Sequence, residues 1–248
     1  MKTTSSFLRR AALVLLPATL LLSACGKDDE PIAPVVDQGR VNFFHAAASA
    51  NVQVKALVDD AEKGALTYGQ SSGYQGINTG SRVVKVNVAS SGAAAFAPQT
   101  INVEKDKSYS YFAYASAANA VSGLLVPDDL TAPTSGKAKI RLVHLGVDSP
   151  ASLKLSTTAA AISDIPNTGA AFGAASPFVE IQPGQYNVAV TSGTSSATVV
   201  NVGDGSGSGA GTNKTYEAGK IYTIVVRGIN SQLVATDLQT KAVLIQNN

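Results

Sequence analysis

Residues 82–88 read Arg-Val-Val-Lys-Val-Asn-Val, and Val84, Val86 and Val88 alternate with other side chains along this run. A period of two places the three valines on one face of a β-strand. Gly80 precedes the run, at a position where a turn often needs a positive φ angle. The stretch therefore predicts a β-strand that buries one face and is entered through a turn.

This stretch has a counterpart later in the chain. Tyr68–Val86 aligns without a gap with Phe172–Val190, so that Gly80 falls on Gly184. A period of about 100 residues is too long for a solenoid and indicates tandem domains. Three more blocks align in the same order, namely Val41–His45 with Ile140–His144, Glu104–Tyr114 with Glu217–Arg227, and Leu125–Leu130 with Leu233–Leu238.

Other segments also have the composition of strands. Tyr109–Tyr114 and Ile221–Val226 are nearly continuous in apolar or β-favouring residues, which predicts central strands. No stretch after Cys25 has a helical period. Short strands separated by turn residues therefore indicate an all-β protein with two tandem antiparallel β-sandwich domains of the immunoglobulin type.

The segment before the repeats contains a processing signal. Arg9 and Arg10 precede an apolar run from Ala11 to Leu22, which is too short to span a bilayer comfortably as a helix. The run closes with Leu22-Ser23-Ala24-Cys25, which resembles the lipobox of bacterial lipoproteins. That resemblance implies cleavage before Cys25 and attachment of lipid to its thiol. The alternative is an ordinary signal peptide followed by a chance cysteine.

The residues after Cys25 indicate a cellular address. Gly26-Lys27-Asp28-Asp29-Glu30 resembles an export signal that, in one large phylum of Gram-negative bacteria, sends lipoproteins to the outer face of the outer membrane. A solvated polar tether is the alternative. We therefore expect an outer-membrane, surface-exposed lipoprotein that contacts the membrane through two or three acyl chains on Cys25, because one chain anchors only weakly.

The predicted organisation follows from these signals and from the repeat. The boundary between the repeats falls at a short polar segment that contains Pro and Gly, as linkers often do. The predicted segments are a signal peptide at 1–24, a lipidated tether at 25–38, β-sandwich repeat 1 at 39–130, a linker at 131–136, and β-sandwich repeat 2 at 137–248.

Removal of residues 1–24 changes the charge balance. The full chain has 19 Lys and Arg against 17 Asp and Glu, and the signal segment holds Lys2, Arg9 and Arg10 but no acid. Without those three, 16 basic side chains face 17 acids, so no basic excess indicates nucleic acid as a partner. Cys25 is the only cysteine, which excludes disulfides. Once it is acylated, no thiol remains for catalysis or metal binding.

The surroundings of the two histidines resemble a bacterial envelope domain family of unknown function. Its members have a strand that ends in Val-His, a turn rich in Ser, Pro, Asp and Ala, and a second alternating strand. Val143–Ala151 has this pattern, whereas Phe44–Ala50 lacks the Asp and the Pro. Gln182–Val188 resembles a later turn and strand of the family. The resemblance covers nearly all residues after Cys25 as two copies and implies a β-sandwich, but no activity.

Histidine chemistry is the first candidate for a functional site. His45 and His144 occupy matching positions, and Asp148 and Ser149 complete the residue types of a hydrolase triad. These three lie within six residues on a strand and its turn, however, so we expect each imidazole to bond the turn that follows it instead. One histidine per repeat and no free cysteine are too few ligands for zinc, which needs three or four.

Acidic and glycine-rich segments give two weaker candidates. Asp59-Asp60 and Asp128-Asp129 could ligate calcium, but neither pair lies in a loop of recognisable spacing, and we expect solvated turns. Gly203–Gly211 lacks the Lys-Ser/Thr and the helix of a phosphate loop, so it predicts a flexible loop inserted in repeat 2.

The aromatic cluster is the last candidate. Tyr109, Tyr111, Phe112 and Tyr114 could form a sugar-binding face, but residues that alternate along a strand more often fill a core. We therefore expect a non-catalytic binding or structural module rather than an enzyme, without a metal or cofactor, and with an extracellular protein or glycan as its ligand. A carbohydrate-binding accessory lipoprotein is the alternative.

Overall fold

Strands account for almost all regular structure in the computed structural model, which describes residues 36–158, 162–192, 197–203 and 213–248. No α-helix occurs in these residues, and the single 3-10 helix is Ala48–Ala50, so the predicted all-β class is confirmed. Within the described part of the chain, no helix has the length and apolarity to cross a membrane. The predicted signal peptide, Cys25, the acidic run after it and residues 204–211 lie outside the described residues.

The first half of the chain folds into two four-stranded sheets. Its strands are β1 Gln38–Ala46, β2 Val54–Val58, β3 Ala61–Leu66, β4 Ser71–Asn78, β5 Gly80–Val88, β6 Gln99–Val103, β7 Ser108–Ala117 and β8 Ala120–Asp128. The order β4-β1-β7-β8 forms inner sheet 1, and the order β3-β2-β5-β6 forms outer sheet 1.

The second half repeats this plan with shorter strands. They are β9 Ala138–His144, β10 Ser152–Thr157, β11 Ser163–Asp164, β12 Ala170–Ala171, β13 Ala174–Ala175, β14 Val179–Ile181, β15 Gly184–Tyr186, β16 Val188–Ser192, β17 Thr198–Gly203, β18 Lys214–Tyr216, β19 Ile221–Arg227 and β20 Lys241–Gln246. Ten of these strands form one continuous sheet, in which we call β9, β13, β14, β19 and β20 inner sheet 2 and β10, β11, β12, β16 and β17 outer sheet 2, while β15 and β18 pair in a separate ribbon. A short pairing of β17 with β20 joins the two sheets along one side.

Both inner sheets have a parallel pair at their centre. β1 runs parallel to β7, and β9 runs parallel to β19. Between β1 and β7 the chain forms the four strands of outer sheet 1 and the inner strand β4, and it returns to the end where β1 began, so β1 and β7 point the same way. The sheets are therefore mixed rather than wholly antiparallel as predicted, and their strand order differs from that of immunoglobulin domains.

Three apolar cores hold the four sheets together. One core lies between the two sheets of the first half, a second lies between those of the second half, and a third lies between the two inner sheets. Alternation along β1 sends Val41 and Phe43 into the first core and Phe44 and Ala46 into the third. Residues 36–248 accordingly group as one compact unit, and we call the third cluster the shared core.

The halves match in detail at the positions predicted by the clearest aligned block. Gly69 and Gly173 both have positive φ angles, of 88° and 74°. The hydroxyl of Ser72 accepts a hydrogen bond from the Phe43 amide, and Ser176 does the same for Leu142, both at 3.0 Å. The predicted repeat relationship between Tyr68–Val86 and Phe172–Val190 therefore has a structural counterpart.

The fourth aligned block was wrong. β8 corresponds to β20, because Phe112 pairs with Leu124 in the first half as Val225 pairs with Val243 in the second. Leu233–Leu238 instead lies in a long loop that precedes β20, and Leu233 is 98% exposed. The second half has extra residues between its last two strands, and a chance Asp-Leu within them imitated the end of β8.

The two ends of the strands differ in charge. We call the end where β1, β7, β9 and β19 begin the lower end, and the end where they finish the upper end. The described loops at the upper end carry only two charged residues, Asp148 and Asp237. By contrast, the lower end includes the turns 59–60, 104–107 and 217–220, which are rich in Asp, Glu and Lys.

Candidate functional site

The two histidines form equivalent hydrogen bonds. His45 Nε2 donates to the carbonyl of Val52 and His144 Nε2 to that of Pro150, both at 2.9 Å. Each Nδ1 accepts a longer bond of 3.4 Å from the backbone N–H two residues later. This geometry needs the neutral tautomer protonated on Nε2. The predicted role of each imidazole in holding the next turn is confirmed.

Burial keeps both imidazoles neutral. Desolvation lowers the pKa of His45 and His144 below the usual value, because it disfavours the charged form. Each ring also meets an aromatic ring edge-on, Tyr68 beside His45 and Phe172 beside His144. These contacts make the histidines part of the packing at the upper end.

The residue types of a triad are not assembled. His144 uses both ring nitrogens in the turn, Asp148 is exposed with a positive φ of 57°, and the buried Ser149 hydroxyl has no hydrogen-bond partner among the described residues. His144 therefore does not lie hydrogen-bonded between Asp148 and Ser149, as the general base of a triad would. The described part of the chain also contains no group of three or more His, Cys, Asp or Glu side chains that could hold a metal ion.

The acidic pairs proposed for calcium are engaged with cations. Asp59 lies 3.2 Å from Arg82, and Asp60 lies 2.6 Å from Lys85. Asp129 pairs with Lys139 at 3.0 Å. The expectation of solvated turns was wrong for Asp128, whose side chain is fully buried.

The aromatic cluster fills cores rather than a sugar-binding face. Tyr109 and Tyr111 are buried in the first core, and Phe112 is buried in the shared core. Tyr114 is partly buried, 6.1 Å from the ring of Phe172 in the second half. The predicted preference for packing is confirmed.

Asp128 belongs to a buried polar cluster between the inner sheets that sequence reasoning missed. Arg141 of β9 donates from Nη2 to the Asp128 carboxylate at 2.5 Å, from Nη1 to the Pro127 carbonyl at 3.0 Å, and from Nε to the Thr223 hydroxyl at 3.0 Å. Its guanidinium also lies 4.4 Å from the ring centroid of Phe178. One arginine thus links both halves, and the charge-assisted bonds satisfy it away from water.

The rest of the cluster satisfies the carboxylate. Tyr74 and Ser110 donate to Asp128 Oδ2 at 2.6 and 2.8 Å. Burial, and then the neighbouring Asp128, raises the pKa of the Tyr74 hydroxyl, which therefore stays a donor. Asn247 bridges the halves by donating to Tyr74 and accepting from Thr223.

The shared core relates equivalent surfaces of the two halves, but its polar residues differ. Asn42 in β1 occupies the position that Arg141 has in β9, and Asn247 occupies the position that Asp128 has at the end of β8. Only one of the two equivalent places therefore holds an ion pair. Such a pair favours one mutual alignment of two similar faces, because shifting it would leave buried charges unpaired.

A cleft of about 610 Å³ lies at the lower end, beside this cluster. Five exposed charged residues line it, namely Arg40, Glu104, Asp106, Lys107 and Asp129, and we call it the charged cleft. Its less polar lining comes from Tyr109, Pro127 and Leu130. The volume lies within the range of small-molecule sites, roughly 300–1,000 Å³.

The far wall of the charged cleft is the segment that connects the halves. Asp129 accepts hydrogen bonds from Thr131 and Lys139, which lower the pKa of its carboxyl to about 2. Lys139 also donates to the Thr131 carbonyl at 2.9 Å. These bonds hold the connecting segment against the second half and keep it away from the turn 104–107. The sequence contained the charges of the cleft, but no local pattern predicted this path of the chain.

Fold and site together define an all-β module built from several sheets. Residues 39–152 match the model of a family described as a domain of unknown function, DUF4397, so this segment is a DUF4397 domain. The match runs through β9, the strand whose Arg141 reaches back to the first half. Among curated proteins, none matches the chain.

Proposed function

We propose that this protein is a lipid-anchored module of the outer-membrane surface that acts by binding and not by catalysis. The lipobox-like Leu22–Cys25 and the acidic run after it support the anchor and its address. The repeated contacts of the second half support a second β-sandwich at 137–248 that is related to the first.

The observation that carries this proposal is the shared core. It joins two β-sandwiches into one unit with little freedom between them, because apolar side chains and a buried ion pair link the inner sheets. A unit of this kind can hold the binding surfaces of its two halves at a fixed distance and orientation. Both histidines, and the acids of the pairs Asp59-Asp60 and Asp128-Asp129, are bonded within the fold.

The direction of display follows from where the described chain begins. Val36 lies at the lower end, 11 positions after Cys25, and an extended segment of that length reaches about 40 Å at most. An anchor at Cys25 would keep the lower end near the membrane and present the nearly uncharged upper end outward. We expect an extracellular protein or glycan to contact that upper end.

The test of the anchor is fatty-acid labelling in a Gram-negative host that exports such lipoproteins. Cys25→Ala should abolish incorporation of a fatty-acid probe and release the protein from the membrane fraction, whereas Ser23→Ala, which keeps a small residue there, should retain both. A labelled Cys25→Ala variant, or an unlabelled parent, would overturn the anchor.

The address is tested separately from the anchor. Replacing Lys27, Asp28 and Asp29 together by Ala should protect the protein from protease added to intact cells, while labelling at Cys25 continues. Replacing Lys55 and Glu62, an exposed ion pair far from the tether in sequence, should leave protease access unchanged. Continued sensitivity of the triple variant would show that these residues are not the export signal.

A further inference from the structure

We propose that the charged cleft binds a dipolar small ligand in which an anionic phosphate or carboxylate is joined to a primary ammonium group, as in a phosphoethanolamine headgroup. The lining carries both signs of charge at its rim. Among the lining charges that have no ion-pair partner in the described residues, Arg40 and Lys107 are the cations, and Glu104 and Asp106 are the acids. A ligand with a single charge would satisfy only half of this set.

The charged groups of the cleft are available to a ligand. None of these four takes part in an ion pair within the described residues, whereas Asp128 and Asp129, which also line the cleft, pair with Arg141 and Lys139. Arg40 is oriented by a hydrogen bond of 3.0 Å from its Nη2 to Ser108, and its guanidinium lies 5.6 Å from the Tyr74 ring centroid. This side chain is therefore partly preorganised, which reduces the entropic cost of binding.

In the second half, Asn248 occupies the space that corresponds to the charged cleft, and it contacts the lysine equivalent to Lys107. Lys220 corresponds to Lys107, and Asn248 follows the strand in the place that Asp129 has in the first half. Asn248 lies against the turn 217–220, where its Nδ2 donates to the Gly219 carbonyl at 2.9 Å and its carbonyl lies 3.5 Å from Lys220 Nζ. In the first half Asp129 turns towards Lys139 instead, which leaves Lys107 beside an open cleft.

The turn itself has changed between the halves. Asp106 adopts a left-handed φ of 59° where the second half has Gly219 at 81°. Glycine takes this conformation without cost, whereas an aspartate adds a carboxylate there. The first half thus places an acid on the rim of its cleft, at a position that is neutral in the second half.

The chemistry of recognition follows from the two signs. Arg and Lys bind phosphate or carboxylate oxygens through charge-assisted hydrogen bonds, and a primary ammonium donates three bonds to carboxylates. Two sources offer this combination, namely a lipid headgroup and a free small molecule. The headgroup source rests on the proposed anchoring, because it needs the lower end to face a membrane.

The first experiment measures binding to residues 26–248, which keep the whole unit 36–248. Phosphoethanolamine should bind and shift the amide resonances of Lys107 and Ser108, and phosphocholine and inorganic phosphate should bind at least about tenfold more weakly. Lys107→Gln and Glu104→Gln should each weaken binding about tenfold, since a hydrogen bond to a charged group contributes on that scale. Lys220→Gln, at the equivalent turn, should leave the dissociation constant unchanged. Equal binding of all three ligands, or none, would overturn the proposal.

The second experiment separates the two sources. Vesicles that contain phosphatidylethanolamine should retain residues 26–248 more than vesicles of phosphatidylcholine alone, and soluble phosphoethanolamine should release the protein. Binding of the soluble probe without vesicle retention would assign the cleft to a free molecule and overturn the headgroup source. Neither result depends on lipid at Cys25, which the labelling experiment tests by itself.

Discussion

The guanidinium of Arg141 in the second half reaches the carboxylate of Asp128 in the first, and the two side chains are 1% and 0% exposed. This ion pair lies within the apolar contact of two inner sheets, where Asp128 accepts further hydrogen bonds from Tyr74 and Ser110 and Arg141 donates one to Thr223. It is the one place where a charge from each half meets in the shared core of the described residues.

Removal of one partner of this pair should be costly. Arg141→Met leaves the Asp128 carboxylate buried without its cation, and the free energy of unfolding should fall by about 3–5 kcal/mol. Urea denaturation measures the loss. Lys154→Met breaks the exposed pair with Asp164 and should cost less than about 1 kcal/mol. Arg141→Met together with Asp128→Leu should recover much of the stability, and a double variant no more stable than the single one would contradict this account.

The shared core should make the halves unfold together. Phe112 is fully buried and stacks on Phe44 with ring centroids 4.9 Å apart. Phe112→Ala should lower the free energy of unfolding by about 3–5 kcal/mol, while Leu233→Ala should change it by less than about 0.5 kcal/mol. Calorimetry of the parent protein should give one transition. Two well-separated transitions would show that the shared core does not couple the halves.

Stability should fall as the pH drops below the usual pKa of histidine. The pKa values of His45 and His144 are lowered in the fold, so the unfolded chain takes up protons first and stability decreases from about pH 6.5 downward. Above that pH the two neutral histidines make their full contribution to the free energy of unfolding. The slope for two histidines is at most about 2.7 kcal/mol per pH unit. Unfolding curves from pH 7.5 to 5 measure it.

The matched control for this pH effect is the double variant His45→Asn and His144→Asn. It removes both titrating rings and keeps a side-chain donor at each place. Its overall stability should be lower, but the part of the pH slope that the histidines cause should vanish. An unchanged slope would assign the pH dependence to other groups.

Two glycines of similar backbone conformation should respond differently to alanine. Gly228 has a φ of 99° and packs against the backbone of Gln239, whereas Gly92 has a φ of 72° and open space around it. Gly92→Ala should cost about 1–2 kcal/mol for the left-handed conformation alone. Gly228→Ala adds a clash with the Gln239 carbonyl and should cost clearly more. Equal losses in chemical denaturation would refute the close approach.

The strands and the repeat were predictable because they depend on local pattern. The alternation in 82–88 and the recurrence of Gly80 at Gly184 each need only a few neighbouring residues. The role of the two histidines was also predictable, because the turn that each one holds follows it directly. These features do not depend on how the sheets pack against one another.

The packing of the halves was not predictable in the same way. The signal was present in the inner strands, where Phe43 and Phe44 are both large and apolar, because such strands are buried on both faces. The sequence around these strands does not indicate, however, that the inner sheet of the other half packs against them. Arg141 likewise interrupts an apolar strand, and its partner Asp128 belongs to the other half. The charged cleft was hidden for the same reason, since it opens only through the path that Asp129 takes towards Lys139.

Parallel pairing at the centre of each inner sheet constrains how the nascent polypeptide can acquire its fold. Arg40 of β1 pairs with Ser108 of β7, and Lys139 of β9 pairs with Ile221 of β19. One edge of β1 and one edge of β9 therefore have no partner strand until the residues in between have been synthesised. Distant partners make closure slow, and exposed edges invite aggregation in the meantime. Inner sheet 1 can therefore be completed only after β7 has been synthesised, and inner sheet 2 only after β19.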